Sequence, residues 1–324
     1  MNSIIVSKTP LRISFVGGGS DLGSYYESVG SGKVISATID KYIYITVHKR
    51  YDEFIRASYS KTEIVEHVEN LNHELIRESI KLMNIKKGIE ITSISDLTAH
   101  GTGLGSSSAY TAGVLNALAK YKSIPYSRFN LANDTCHIEI DKCKQPIGKQ
   151  DQFACVFGGI NEITFKKNQV DISPVNISTN SICELSNNLL LFDTGIKRKT
   201  SSVLKNQKKK YESKDFNITS KLVELIPDFR NALVSNSLDD VGKILDQSWK
   251  LKRTIVAGIT NQNIDDLYSD AINAGALGGK LCGAGGGGFL LFYVKDEYKS
   301  RVRKKMSGLK ELNFNLEHEG AKIL

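Results

Sequence analysis

The sequence predicts a protein that mixes β-strands with α-helices, and three patterns carry that prediction. Apolar residues alternate from Ile4 to Phe15, as they do in a strand with one buried face. Residues 34–48 are rich in β-branched and aromatic side chains, which favours one or two further strands. Apolar residues at helical spacing recur at 72–85, after the serines near 106, and again at 221–253. Both element types are therefore expected along most of the chain.

Length and composition limit the class of protein. With 324 residues, 40% of them hydrophobic and 24% charged, the chain is expected to be globular, with one large domain or two medium ones. No apolar run approaches the roughly 20 residues that cross a bilayer. The first residues also lack the basic and apolar segments of a signal peptide. We therefore expect no membrane partner.

The net charge and the cysteines indicate the surroundings of the protein. A net charge of +8 would suit nucleic acid, but no aromatic and basic recognition motif accompanies it. Attraction for anionic nucleotides and sugar phosphates explains the charge equally well, as does a solvated lysine-rich surface, so we expect no nucleic-acid partner.

The cysteines are odd in number and scattered, which predicts a reduced, cytoplasmic compartment. They are Cys136, Cys143, Cys155, Cys183 and Cys282.

The most informative stretch is a segment rich in glycine and serine that precedes a helical pattern ending near Tyr121. Alternate glycines let backbone N–H groups converge, and a helix start adds a positive dipole end. Together they predict an anion site, most often for phosphate, with a flexible loop and a serine N-cap as the alternative. The segment matches neither the Walker loop nor the dinucleotide fingerprint. Its residues are Gly101, Thr102, Gly103, Leu104, Gly105, Ser106, Ser107 and Ser108.

Within this segment, Gly-Leu-Gly-Ser-Ser-Ser-Ala at 103–109 resembles the nucleotide loop of the GHMP kinases. The resemblance implies a two-domain α+β fold. Residues 1–185 would resemble ribosomal protein S5 domain 2, and residues 186–324 would be ferredoxin-like. It also implies ATP and Mg²⁺ as cofactors, with residues 101–108 on the nucleotide. One departure affects the entry to the loop, because Ala99-His100 replaces the proline that is usual there.

A second resemblance to the family lies at 17–21, after the first predicted strand, and reads Gly-Gly-Gly-Ser-Asp. Galactokinase has Gly-Glu-His-Thr-Asp there, so two bulky residues are missing and galactose is disfavoured. The Gly-Gly-Gly-Thr/Ser-Asp version is similar to the heptose 7-phosphate kinase and fucokinase branch. A turn or N-cap carboxylate is the alternative for the aspartate. The residues implied to bind substrate are Gly18, Gly19, Ser20 and Asp21.

The catalytic candidates also follow from the resemblance. Glu139 precedes Pro146-Ile147-Gly148-Lys149-Gln150-Asp151-Gln152 by the spacing found in galactokinase. By that pattern Glu139 holds Mg²⁺ together with Ser108, or with Ser107, since the extra serine leaves the register open. Asp151 would accept or orient the proton of the substrate hydroxyl. The basic residues expected to assist it are Arg12 and Lys149.

Two further segments complete the expected site. Residues 283–288, Gly-Ala-Gly-Gly-Gly-Gly, resemble the third motif of the family, and its Gly285 and Gly286 are expected to bring backbone close to the substrate. The basic residues 197–199 follow a predicted strand, where they are either a solvated cluster or a site for a substrate phosphate. Arg198 is the first choice for that phosphate because arginine grips it with two hydrogen bonds, and Lys8 is the second.

The resemblance implies an ATP-dependent kinase that phosphorylates the anomeric hydroxyl of D-glycero-D-manno-heptose 7-phosphate. The 1,7-bisphosphate would serve nucleotide-activated heptose and surface polysaccharide. Two alternatives stay open: an L-fucokinase-like or other sugar 1-kinase, and a catalytically inactive sugar sensor. The intact Glu139 and Asp151 argue against the sensor. The oligomeric state is also open, with a homodimer as one alternative.

Overall fold

A computed structural model describes residues 4–97, 101–196 and 200–324, which form two β-sheets and the helices packed on them. The mixed fold predicted from the sequence is therefore confirmed. The first sheet contains β1 (Ile5–Val16), β2 (Gly32–Lys49), β3 (Ile55–Ser58), β4 (Thr62–Val65), β5 (Ile89–Ser95), β6 (Ile160–Lys166), β7 (Gln169–Pro174), β12 (Leu316–Glu317) and β13 (Lys322–Ile323).

Strand β2 is the centre of the first sheet. It pairs with β1 along one edge and with β6, β12 and β5 in turn along the other, all antiparallel. The segment rich in β-branched residues is thus one long strand rather than two. Beyond β5 the sheet continues through the parallel β3 to β4.

Strand β1 is buried on both faces from Thr9 onward. Its apolar residues are buried as the alternation predicts, but so are the intervening Thr9, Arg12 and Ser14. The alternation therefore marks two different buried faces, one apolar and one polar, instead of a solvent-exposed face. The register with β2 shifts after Pro10, a residue that cannot donate a backbone hydrogen bond to the sheet.

Helix α3 (Ser106–Tyr121), which follows the glycine-rich loop, packs directly on the first sheet. Gly113 makes the close approach possible, since a β-carbon there would lie 3.0 Å from Ile45 and 3.2 Å from Thr9. Ser7 donates a 2.7 Å hydrogen bond to the Gly113 carbonyl across this contact. Most of α3 is buried on all sides, so its N-terminus is held firmly in place. Rigid placement of that end matters because it faces the cavity described below.

The other helices follow the chain in order, and the Ser127 hydroxyl caps α4 by accepting from the Asn130 N–H. Trp249 is fully buried, as expected of a core residue. The helices are α1 (Gly23–Val29), α2 (Glu74–Leu82), α3 (Ser106–Tyr121), α4 (Arg128–Cys136), α5 (Gln150–Phe157), α6 (Thr179–Asn188), α7 (Thr200–Glu212), α8 (Asn217–Glu224), α9 (Ile226–Val234), α10 (Leu238–Lys252), α11 (Gln262–Ala274) and α12 (Asp296–Lys305). A turn of 3₁₀-helix covers Val68–Asn70, and a π-helical turn covers His137–Lys142 after α4.

The second sheet is antiparallel and has the order β11-β8-β10-β9. In chain order its strands are β8 (Leu189–Asp193), β9 (Ala276–Leu281), β10 (Phe289–Val294) and β11 (Lys310–Glu311). Helices separate the first strand from the second and the third from the fourth, which is the ferredoxin-like arrangement. The ring of Phe15 on β1 lies 5.3 Å from that of Phe229 on α9, so the core continues between the two parts.

The last two strands, β12 and β13, leave the second sheet and pair with β2 and β1 of the first. They lie in the first sheet although they fall within residues 186–324. The predicted boundary near 185 lies in α6, just before β8, and the division at that point stays a prediction. Among the described residues, no helix is both long enough and apolar enough to cross a bilayer.

Candidate active site

A cavity of about 300 Å³ lies where the two parts of the chain meet. The loop after β1, the start of α3 and the segment leading into α5 line it on the first-sheet side. Residues of α7, the end of α10 and the loop after β9 line it from the other side. The three motifs that were far apart in sequence therefore border one space.

The glycine-rich loop adopts the backbone conformation that its glycines predict. Gly101, Gly103 and Gly105 all have positive φ, at 77°, 72° and 76°. Helix α3 then begins at Ser106, and its first turn borders the cavity, so its free N–H groups and positive dipole end are available to an anion. The helix start has no side-chain cap, because Gly105 occupies the N-cap position. The alternative in which a serine serves as the N-cap is therefore not what the structure contains.

The serines of α3 instead hold Glu139. Ser108 donates a 2.6 Å hydrogen bond to one carboxylate oxygen, and Ser107 donates to the other. Gln152 on α5 adds a third hydrogen bond of 2.7 Å. Glu139 lies in the π-helical turn after α4 and is fully buried. Burial raises the pKa of Glu139 to about 7, although the three hydrogen bonds act in the opposite direction.

The donor set around Glu139 fits a magnesium ion. It consists of hydroxyl and carboxylate oxygens, the hard ligands that Mg²⁺ takes. Ser107 and Ser108 line the cavity, whereas the fully buried Glu139 does not border it. Mg²⁺ usually needs only one or two protein ligands besides phosphates and waters. A cation would also relieve the unfavourable burial of the Glu139 charge. Both serines contact the carboxylate, so the structure does not choose between them.

Arg12 and Asp151 form a bidentate ion pair beside the glycine-rich loop. The two hydrogen bonds measure 2.8 Å and 2.7 Å, and the third donor group of Arg12 binds the Gly103 carbonyl at 2.6 Å. Burial opposes the charge on Arg12, yet the pairing with Asp151 leaves the pKa of the guanidinium raised. Both residues border the cavity. The pairing implied by the resemblance is thus present, and Asp151 is held at the start of α5.

Asp21 is the second carboxylate in the cavity. It accepts N–H groups of Gly19 at 3.1 Å and Gln150 at 3.3 Å. Burial raises the pKa of Asp21, and the nearby charge of Asp151 raises it further. Gly148 leaves no room for a side chain here, since a β-carbon would lie 2.1 Å from the Asp21 carboxylate. Two carboxylates near the loop suit the recognition and activation of a hydroxyl group.

Some predicted residues lie away from the cavity. Ser20 exchanges two hydrogen bonds with the Lys33 backbone, of 2.7 Å and 2.9 Å. The Lys149 ammonium lies 5.7 Å from the centre of the Tyr26 ring. Neither residue borders the cavity, so their predicted roles gain no support from these contacts.

The third motif reaches the cavity through Gly283 and Ala284, and not through Gly285 or Gly286. The latter two pack against Ile259, and the Gly286 N–H donates to its carbonyl at 2.8 Å. Gly18, Gly19 and the other loop residues border the cavity as expected, apart from Leu104, which is buried beneath it.

Of the two residues predicted to bind a substrate phosphate, the structure describes only Lys8. The Lys8 ammonium lies 3.7 Å from the centre of the Tyr42 ring and does not border the cavity. Arg198, with its neighbours 197 and 199, lies outside the described residues. That segment connects β8 to α7, and Leu204 and Gln207 of α7 do line the cavity.

Sequence reasoning missed several polar residues in the cavity, among them Lys252, Ser14 and Gln150. Lys252, at the end of α10, has its ammonium directed to the Gly283 carbonyl. Its position in sequence is typical of a basic residue at a helix C-terminus, so no signal set it apart. Ser14 and Gln150 also border the cavity, and the Ser14 hydroxyl and the Gln150 amide nitrogen are buried without a partner among the described residues. Buried polar groups normally have partners, so these atoms suit a bound ligand.

Comparisons with known proteins agree with this geometry. The model for the GHMP kinases N terminal domain matches residues 64–159, and that for GHMP kinases C terminal matches residues 228–309. The D-glycero-alpha-D-manno-heptose 7-phosphate kinase of Campylobacter jejuni is 30% identical over 331 residues, covering 97% of each chain. The chain belongs to the GHMP kinase family.

Solved structures are also similar to this GHMP kinase in fold and sequence. A D-glycero-D-manno-heptose 1-phosphate kinase from Bacteroides thetaiotaomicron superposes with a TM-score of 0.81 at 25% identity, covering 99% of this chain and 98% of the other. A putative sugar kinase from Campylobacter jejuni gives a TM-score of 0.77 at 27% identity, with coverages of 99% and 98%. The reaction class is thus phosphoryl transfer from ATP, and the predicted α+β fold is confirmed.

Proposed function

We propose that this GHMP kinase transfers the γ-phosphoryl group of ATP to the anomeric hydroxyl of D-glycero-D-manno-heptose 7-phosphate. The product would be the 1,7-bisphosphate, an intermediate suited to nucleotide-activated heptose and surface polysaccharide. The observation that carries the proposal is the similarity to a heptose 7-phosphate kinase across 97% of the chain. Gly18 supports it, because a β-carbon there would meet only the Ser14 hydroxyl, at 3.8 Å, so this part of the cavity beside Asp21 is open.

The cavity supplies the parts that phosphoryl transfer needs. In such reactions the protein mainly positions the reactants and stabilises charge. The loop at 101–105 and the start of α3 would hold the β- and γ-phosphates, and Asp21 would bind sugar hydroxyls. Asp151, held by Arg12 through two hydrogen bonds, would take the proton of the acceptor hydroxyl. A Mg²⁺ held by Glu139 and Ser108 or Ser107 would neutralise phosphate charge.

A second candidate function is an L-fucokinase-like or other sugar 1-kinase with an unphosphorylated substrate. One observation favours it: among the described residues, the cationic side chains that border the cavity are Arg12 and Lys252. Arg12 already binds Asp151, and Lys252 lies beside the nucleotide loop, so neither is placed for a distant substrate phosphate. The heptose assignment therefore depends on basic residues at 197–199.

The deciding experiment measures ADP release over a panel of sugars and sugar phosphates, with heptose 7-phosphate, heptose 1-phosphate, L-fucose and D-galactose included. We expect turnover with heptose 7-phosphate and a product whose new phosphate is at C1 by ³¹P NMR. Turnover with free sugars alone would replace the heptose proposal by the fucokinase-like one. Sugar binding without ADP release from any substrate would instead indicate the sensor.

The proposal also covers the cellular compartment and the partners of the enzyme. All five cysteines lie within the described residues and none forms a disulfide, which suits a reducing compartment. We therefore place the enzyme in the cytoplasm, with ATP, Mg²⁺ and a sugar phosphate as its partners. A homodimer is kept as an expectation, to be tested by measuring the mass in solution.

A further inference from the structure

Lys252 is a buried cation that has no counter-ion among the described residues. Its residue is 8% exposed, and its hydrogen-bond partner among the described residues is the Gly283 carbonyl. An ammonium group has three donors, so two stay free for a ligand. No carboxylate in the described part of the chain lies within ion-pair distance of it. A buried charge of this kind is unfavourable unless something pairs with it.

The position of Lys252 indicates what the missing partner is. Gly283, which accepts its hydrogen bond, packs against Gly103 of the nucleotide loop. The Gly103 carbonyl in turn accepts a 2.6 Å hydrogen bond from Arg12. Lys252 and Arg12 therefore lie on the two sides of one glycine contact, and both border the cavity that holds Asp151. With the proposed function, this is where the phosphate and the acceptor hydroxyl would meet.

We propose that Lys252 is a catalytic residue that binds the non-bridging oxygens of the phosphoryl group during its transfer. It contributes charge from α10, while Arg12 contributes charge from β1. The proposal rests on the kinase function described above, but it requires only a bound acceptor hydroxyl and not a particular sugar.

The step is a direct displacement. The acceptor oxygen forms a bond to the γ-phosphorus of ATP, and the bond from that phosphorus to the bridging oxygen breaks, leaving its electron pair on ADP. The hydroxyl proton passes to Asp151. The non-bridging oxygens carry negative charge throughout, and stabilising that charge is the main contribution a protein makes to this chemistry.

A neighbouring lysine shows what a purely structural role looks like. Lys280 on β9 is also buried, at 1% exposure, and donates a 2.7 Å hydrogen bond to the Phe15 carbonyl. It does not border the cavity. Lys280 therefore joins β9 to β1, whereas Lys252 has donors next to open space.

The test compares Lys252→Met and Lys252→Arg with two controls. Lys250→Met makes the same change on the same helix at an exposed residue paired with Asp246. Lys280→Met removes the other buried ammonium. For each variant, kcat is measured on the sugar found by the substrate screen. The affinity for ADP alone is compared with that for ADP plus aluminium fluoride and sugar, a mimic of the group in transit.

We expect Lys252→Met to lower kcat by roughly 10²–10³-fold, the span for loss of one preorganised charge-stabilising donor. Affinity for the aluminium fluoride complex should fall by a similar factor, while affinity for ADP alone changes less than about threefold. The kcat of Lys252→Arg should be at least about tenfold higher than that of Lys252→Met, since arginine restores the charge. Lys250→Met should match the wild type, and Lys280→Met should lower the melting temperature without weakening the aluminium fluoride complex selectively.

The pH profile gives a second readout, which Lys252→Arg provides even if Lys252→Met does not fold. Burial lowers the pKa of Lys252 to about 8, so the charge is present below that pH and lost above it. We expect kcat/KM for ATP in the wild type to fall above about pH 8, and the fall to move to higher pH in Lys252→Arg. The charged and titratable groups that face Lys252 are Arg12, Asp21, Asp151, Lys280 and Cys282.

Three results would overturn the proposal. Equal losses of ADP and aluminium fluoride affinity would make Lys252 a support for the Gly283 loop. A rise in KM for a phosphorylated sugar alone would make it a grip for the phosphate of the substrate. If the pH profile of Lys252→Arg equals that of the wild type, the charge of Lys252 has no part in the reaction. If the screen rejects heptose 7-phosphate but identifies another sugar, the same measurements apply to that sugar, so the two proposals fail separately.

Discussion

Gly283 lies so close to Gly103 that a β-carbon on Gly283 would come within 2.6 Å of the Gly103 α-carbon. Its φ of 74° is also one that other residues rarely adopt. The loop after β9 and the glycine-rich loop at 101–105 therefore pack against each other, backbone on backbone. The loop after β9 limits how far the glycine-rich loop can move in that direction.

The first prediction follows from that contact. Gly283→Ala should raise the KM for ATP by about tenfold or more, because the added carbon pushes the nucleotide loop away and strains the backbone by roughly 1–3 kcal/mol. The measurement is steady-state kinetics with ATP varied at saturating sugar. Gly308→Ala is the matched control, since a β-carbon there meets nothing within 4 Å. A normal KM for ATP in Gly283→Ala would mean that the loop tolerates displacement.

The second prediction concerns the base. Asp151→Asn keeps the volume but carries no charge, so kcat should fall by roughly 10²–10⁴-fold, the usual span for a positioned acid-base group. Affinity for ATP should change little, as measured by calorimetry. Asp21→Asn provides the contrast, because the loss there should be mainly in sugar affinity. Near-normal kcat in Asp151→Asn would assign the proton transfer elsewhere.

The third prediction concerns the metal. Glu139→Gln should raise the Mg²⁺ concentration that gives half-maximal activity, because a neutral amide is a poor ligand for a hard cation. The measurement is a Mg²⁺ titration at fixed ATP. Ser107→Ala and Ser108→Ala, titrated in the same way, would show which hydroxyl joins the carboxylate, since both now contact it. An unchanged midpoint in Glu139→Gln would point to a different ligand.

The fourth prediction concerns the phosphate of the substrate. Arg198→Ala should raise the KM for the phosphorylated sugar by roughly tenfold or more, from the loss of about 1.5–3 kcal/mol of charged hydrogen bonding. The KM for ATP should barely change. Lys8→Ala is a suitable comparison, because Lys8 lies against Tyr42 and outside the cavity lining. Equal losses of ATP and sugar binding in Arg198→Ala would show that the phosphate pocket is elsewhere.

Much of this architecture could be predicted from sequence, since local patterns report local structure. The alternation from Ile4 to Phe15 corresponds to β1, and the helical spacing after the serines near 106 corresponds to α3. The resemblance of the ordered motifs to a family predicted that Arg12, Asp21, Glu139 and Asp151 belong to one site. No local pattern by itself would have joined residues so far apart in the chain.

What could not be predicted depends on contacts between distant segments. In the sequence, Lys252 looks like an ordinary basic residue at the end of a helix. Only the packing of α10 beside Gly283 distinguishes it. Lys149 is adjacent to Asp151 in sequence, but its side chain turns towards Tyr26. Thr9, Arg12 and Ser14 occupy the polar positions of an alternating strand, where exposure to solvent was the natural expectation, but all three are buried. Helix α3 packs over Thr9, and Arg12 lies against the glycine-rich loop and Asp151.

The return of β12 and β13 to the first sheet affects how the protein is made. Ser7 pairs with Ile323, Lys8 pairs with Lys322, and Leu316 pairs with Ile39. During synthesis the ribosome must therefore deliver nearly the whole second part before the first sheet has all its strands. Domains commonly fold one after another as they emerge, but here the first sheet cannot be completed until the last residues of the chain have been made. A fragment that stops near residue 185 would leave the β1 edge unpaired, open to other chains and to aggregation.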